Sequence, residues 1–130
     1  MLHSPWESLR VLVADDNRDA ADALATLVHL WGHDVRIAYN GQAAVNLAGD
    51  FVPHVIMLDI QMPGMHGGEV ARQLRAQPGF QHAKIYATSA NEPDDPRLVA
   101  WRHLFDAHFV KPYNLRQLEG LLANHVSCEF

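Results

Sequence analysis

Short apolar runs alternate along this chain with longer stretches whose apolar residues recur every three or four positions. Residues 9–14 (LRVLVA) are short, apolar and β-branched, which reads as a buried strand. Residues 17–31 follow with Ala20, Leu24, Leu27, Val28 and Trp31 at helical spacing; Asn17 can cap the start and Gly32 can end the helix in a left-handed turn. The same alternation predicts strands over 34–38, 54–58, 84–89 and 107–110. Helices are predicted over 41–50, 69–76 and 97–104, the last of these capped by Asp95 with Pro96 in its first turn. A final helix begins at Asn114, with Gln117 three residues on as a capping-box partner, and runs to about residue 125.

Five strands alternating with five helices imply βα units joined by right-handed crossovers. Apolar strands of this kind suit a sheet covered on both faces. The expected fold class is therefore α/β, a doubly wound five-stranded parallel sheet. Such sheets work beyond the carboxyl ends of their strands, so the polar residues at those ends are the candidates for chemistry.

Strand one ends in Asp15 and Asp16, strand three in Asp59, strand four in Thr88 and Ser89, and strand five in Lys111-Pro112. Each piece has an ordinary reading: a helix cap for the acidic pair, a turn residue for Asp59, loop starters for Thr88 and Ser89, and a turn before a helix for Lys111. Their joint arrival on four strand ends is what is specific. Three carboxylates brought together repel unless a cation sits among them, and hard oxygen ligands favour Mg²⁺. A lysine and a hydroxyl on the other side suit the spread negative charge of a phosphoryl group. A carboxylate can itself be the nucleophile and form an aspartyl-phosphate.

Composition narrows the setting. The chain has 130 residues, about one domain, with 48% hydrophobic residues and a net charge of −5 with histidine neutral. That charge argues against bulk attraction to nucleic acid. No apolar run is long enough to span a membrane, residues 1–8 do not read as a signal peptide, and the single cysteine, Cys128, suits a reducing cytoplasm. No dinucleotide, Walker or zinc-ligand pattern is present.

The stretches VLVADDN (11–17), VIMLDIQMPGMHGGE (55–69), IYATSAN (85–91) and FVKP (109–112) resemble the response-regulator receiver family of two-component signalling, and within it the receivers attached to hybrid sensor kinases. The resemblance covers residues 9 to about 125. It implies a flavodoxin-like strand order 2-1-3-4-5, with residues 1–8 as an extension, 9–126 as the receiver domain and 127–130 as a tail. It implies that Asp59 is the phosphoacceptor; that Asp15, Asp16, Asp59 and the Gln61 carbonyl hold Mg²⁺; that Ser89 and Lys111 engage the phosphoryl group; and that the Lys111-Pro112 bond is cis. The implied donor is a sensor histidine kinase or a histidine phosphotransfer domain. The implied output is a changed surface on the fourth helix, fifth strand and last helix, where an effector or a second copy would dock. No direct contact with nucleic acid is expected, nor any enzyme activity beyond self-phosphorylation and slow self-dephosphorylation.

Three positions depart from the family pattern. His108 stands where an aromatic switch residue is usual, with Phe109 expected to point into the core; His66, a poorer cap, stands where the third helix usually opens with Asp; Leu104 replaces a common Gly. With Ser89, His108 is the candidate switch pair, and its imidazole carries charge near neutral pH. The plainer expectation leaves His103 and His108 as surface residues. Trp101 reads equally as a core residue or as a partly exposed docking residue. Two other functions stay open: an interaction module that keeps the fold without phosphorylation, and an Mg-dependent phosphohydrolase with an Asp nucleophile. Haloacid-dehalogenase-type hydrolases place a second Asp two residues after the first, where this chain has Gln61.

Overall fold

The computed structural model describes residues 8–80, 83–90, 101–112 and 114–128, the stretch 124–128 by backbone alone. Its elements are β1 (Arg10–Ala14), α1 (Arg18–Leu30), β2 (Asp34–Ala38), α2 (Gly41–Phe51), β3 (Val55–Asp59), α3 (Gly67–Ala76), β4 (Lys84–Ser89), a 3₁₀ turn (Arg102–Leu104), β5 (Ala107–Val110) and α4 (Leu115–Cys128). The strands form one parallel sheet in the order β2-β1-β3-β4-β5, which is the flavodoxin-like order.

Alternate residues of each strand point to opposite faces, and the two faces carry different helices. Leu12, Ile56, Leu58 and Ile85 pack with Ala44, Val70 and Leu74, so α2 and α3 cover one face. Val11, Val13, Val55, Met57 and Phe109 pack with Leu24, Val28, Leu118 and Leu122, so α1 and α4 cover the other. β1, β3 and β4 lie between neighbours on both sides and are buried almost throughout, whereas β2, at the edge, alternates.

Capping follows the sequence closely. The Asn17 side chain accepts from Ala20 N at 3.1 Å, Gly32 takes a φ of 98°, and Asn114 Oδ1 accepts from the N–H groups of Arg116 and Gln117. The helix after the Pro-Gly loop begins two residues earlier than expected, at Gly67, because His66 does cap it: its Nδ1 accepts from Gly68 N at 2.9 Å. A side chain at Gly68 would collide with the Trp101 ring, which settles Trp101 as a half-buried residue packed on the start of α3 and 6.1 Å from the His66 ring. The expected fourth helix, 97–104, lies mostly outside the described residues, as do Asp95 and Pro96; its end is the 3₁₀ turn rather than α-helix. β3 runs one residue further than expected, so Asp59 is its last residue.

Candidate functional site

The carboxyl edge of the sheet collects the candidates in one place. β1 and β3 are adjacent and in register, Ala14 opposite Leu58, so the residues that follow each come out side by side. Asp15, Asp16 and Asp59 offer oxygens that all lie within 4.8 Å of one another. Asp15 and Asp59 are buried and Asp16 is exposed. Backbone donors hold the two buried carboxylates: Asn17 N donates to Asp15 Oδ1 at 3.0 Å and Gln61 N to Asp59 Oδ1 at 2.9 Å.

Lys111 reaches this cluster from the far side of the sheet. Its backbone N donates to the Ser89 carbonyl at 2.7 Å, and the peptide bond to Pro112 is cis. Its Nζ donates to Asp15 Oδ2 at 3.0 Å and to Asp59 Oδ2 at 3.4 Å. One ammonium thus faces three carboxylates, and the group's unease registers on Asp59. Burial pushes its pKa above the ordinary value; the Gln61 N–H pulls it down, the neighbouring Asp15 raises it again, and Lys111 lowers it, with a net upward shift. For Lys111 burial by itself favours the neutral amine, but the hydrogen bond to Asp15 and the charges of both carboxylates outweigh it and leave the ammonium above its usual range.

Thr88 and Ser89 end β4 and are buried, Thr88 as the strand partner of Asp59. The Ser89 hydroxyl is turned toward β5, where Oγ lies 2.6 Å from His108 Nε2; which of the two donates follows the imidazole's protonation. His108 is therefore not a plain surface residue. It is half-buried and holds the hydroxyl, while Phe109 points into the core and His103 is exposed. The sequence paired Ser89 with His108 only as switch residues that would meet on phosphorylation; that they already touch depends on the β4–β5 register that sets Ala87 opposite His108 and Ser89 opposite Val110. The other unforeseen residue is Gln61 as a side chain: its Oε1 accepts from Ala90 N at 3.0 Å. An apolar groove of about 300 Å³, lined by Leu24, Leu27, Pro112 and Leu115, opens beside Asp15 and Lys111.

A parallel α/β sheet with an acid cluster and a lysine converging at its carboxyl edge has the architecture of a receiver. The chain belongs to the response regulator receiver domain family, whose model matches residues 11–123. Solved structures agree in fold. A signal receiver domain of a DNA-binding response regulator from Colwellia psychrerythraea 34H is 27% identical, with a TM-score of 0.81 over 92% of this chain and 99% of that one. A response regulator receiver domain from Francisella is 24% identical, with a TM-score of 0.82 over 95% and 100%. The receiver domain of a sensor histidine kinase from Pseudomonas aeruginosa PAO1 is 22% identical, with a TM-score of 0.82 over 92% and 98%; that protein was solved with a magnesium ion coordinated in its active-site cleft. Among the described residues no helix is long and apolar enough to cross a membrane.

Proposed function

We propose that this receiver domain, taken as residues 9–126, accepts a phosphoryl group on Asp59 from a phosphohistidine of a sensor kinase or phosphotransfer domain in the cytoplasm. The observation that carries this reading is the convergence of three carboxylates within 4.8 Å with Lys111 Nζ bonded to two of them. An Asp59 oxygen attacks phosphorus; the O–P bond forms as the P–N bond breaks, and the donor imidazole keeps the electron pair and takes a proton from solvent. Lys111 then leaves the carboxylates and pairs with the phosphoryl oxygens. Ser89 exchanges its contact with His108 for one with the phosphoryl group, and the surface of the helix expected over 97–104, β5 and α4 carries the change to an effector or a second copy. The groove beside Asp15 and Lys111 offers apolar surface for the donor.

The donor set suits Mg²⁺. It is all oxygen, and three carboxylates against one ammonium leave two negative charges for a divalent cation to balance. Asp15, Asp16, Asp59 and the Gln61 carbonyl would hold it. Its contribution when bound is to neutralise charge on the acidic pair and on the phosphoryl oxygens.

Treatment with a small acyl phosphate and Mg²⁺ tests the reading. Wild type should gain one phosphoryl group, Asp59→Asn should gain none, and Asp16→Ala should weaken the Mg²⁺ dependence by about tenfold. Absence of label on wild type would favour the interaction module, and steady phosphate release from varied phosphomonoesters would favour the phosphohydrolase. Replacing His108 by Phe removes the bond to the Ser89 hydroxyl and should alter how partner binding responds to phosphorylation.

A further inference from the structure

Gln61 is tied to both sides of the site. Its main-chain N–H donates to Asp59 Oδ1 at 2.9 Å, and its side-chain Oε1 accepts from Ala90 N at 3.0 Å, a link between residues 29 apart in sequence. Ala90 lies past the end of β4: the β3–β4 pairing stops at Asp59 and Thr88, and the β4–β5 pairing at Ser89 and Val110. Its N–H thus emerges where the ladder has ended, and a side chain from the neighbouring loop receives it. The residue before it is held from the opposite side, with the Ser89 hydroxyl on His108 and the Ser89 carbonyl on Lys111 N.

We propose that the Gln61 carboxamide is a positioning residue, a latch that keeps the Ser89–Ala90 turn against β3 in the unphosphorylated domain and opposes its rearrangement. The proposal rests on the phosphoryl-accepting reading above and adds a regulator of that site. If the Ser89–Ala90 turn moves toward Asp59 together with the Ser89 hydroxyl, the Ala90 N–H has to leave Gln61. The choice of residue fits the task. Glutamine accepts a hydrogen bond without adding a fourth negative charge beside Asp15, Asp16 and Asp59, and it is one methylene longer than asparagine, whose reach would be shorter. The bond lies at an exposed position, so water competes with it. It therefore acts as a light latch rather than a structural rivet, and its loss should leave the fold intact.

Gln61→Met keeps the length of the side chain and removes the acceptor, whereas Gln61→Glu keeps the acceptor. In the metal-free, unphosphorylated protein, amide hydrogen exchange at Ala90 should quicken by roughly fivefold in Gln61→Met, the size expected for one neutral hydrogen bond. Exchange in the β1 and β3 core should not change, and Gln61→Glu should restore protection at Ala90. Acyl-phosphate labelling of Asp59 in Gln61→Met should run roughly two- to fivefold faster than in wild type, because the turn no longer has to be released. Equal Ala90 exchange in wild type and Gln61→Met, or labelling no faster in the variant, overturns the latch while leaving the phosphoryl-accepting reading untouched. A wild type that takes no label overturns both, since a latch with no phosphorylated state to oppose regulates nothing.

Discussion

At the amino-terminal edge of the sheet, Arg75 from the end of α3 donates to the carbonyls of Phe80, Ala83 and Leu104 and to Asp106 Oδ2 at 2.7 Å. The same Asp106 oxygen accepts from Ile85 N. Two histidines finish this edge: His33 Nδ1 accepts from Leu9 N at 3.1 Å and His54 Nδ1 from Arg10 N at 2.9 Å. At the carboxyl edge, a strand length away, three carboxylates crowd around one lysine and Asp59 is pushed toward its protonated form. Both edges are built from charged and polar groups on strand ends. One matches each donor with an acceptor and serves stability; the other is left with surplus negative charge, which suits it to bind a cation and exchange partners. The difference shows why polar groups at strand ends are informative only when their mutual balance is known.

If that contrast is right, substitutions at the two edges should move stability in different ways. The largest effect belongs to the balanced edge. Arg75→Ala leaves carbonyls and the Asp106 carboxylate without their shared partner and should cost about 3 kcal/mol in a denaturant titration. Arg75→Lys should recover less than half of that, because an ammonium cannot span the fork of acceptors. A cost below about 1 kcal/mol, the level of an ordinary surface change, would remove the distinction between the edges.

Lys111→Ala, at the unbalanced edge, should destabilise the metal-free protein by about 2 kcal/mol, less than a fully buried pair because the side chain is 30% exposed. Mg²⁺ should recover much of the loss. In wild type it should stabilise by about 1.4 kcal/mol at ten times its dissociation constant, measured by thermal melts with and without the ion. Unresponsive melts would mean the carboxylates do not act as a cation site.

The smallest effect has the opposite sign. Asp59→Asn removes a charge that burial disfavours and should stabilise the metal-free protein by about 1 kcal/mol. Its pH dependence follows from the direction of the shift. The folded protein holds the Asp59 proton more tightly than the unfolded chain, so the ionised carboxylate opposes folding above its folded pKa and ceases to as pH falls toward the ordinary 3.8. The advantage of Asp59→Asn should therefore be full at pH 7 and shrink on acidification. Lys111, also raised, contributes stability through the neutral range and loses it only as pH climbs past 10.5 and through the folded value. A stability gap between wild type and Asp59→Asn that widens toward low pH would contradict the upward shift.

Among the described residues, and apart from the helix expected over 97–104, the elements and their order were legible in the chain itself, because apolar periodicity and capping residues are local properties. Asn17, Gly32 and Asn114 sit at helix ends in sequence and in space alike. The convergence of the candidate residues was legible for the same reason: a parallel α/β sheet directs each carboxyl strand end to one edge, so Asp15, Asp16, Asp59, Ser89 and Lys111 could be grouped from the order of the strands. What they do to one another could not. The upward shift of Asp59 depends on how deeply β3 is covered and on which oxygens Lys111 reaches. The Ser89–His108 contact and the Gln61–Ala90 link join residues 19 and 29 positions apart through a particular strand register. His66, by residue type a poorer cap than Asp, still accepts the bond from Gly68 N, and its ring lies beside Trp101, a contact the sequence alone does not specify. Arg75 gave no signal at all, since three of its acceptors are backbone carbonyls gathered from two connections, α3–β4 and the turn before β5, and the sequence names no carbonyl. Local chemistry thus determined the elements and the address of the site, and only tertiary packing decided the charge balance there, because that balance depends on burial and on distances of a few ångströms between segments remote in the chain.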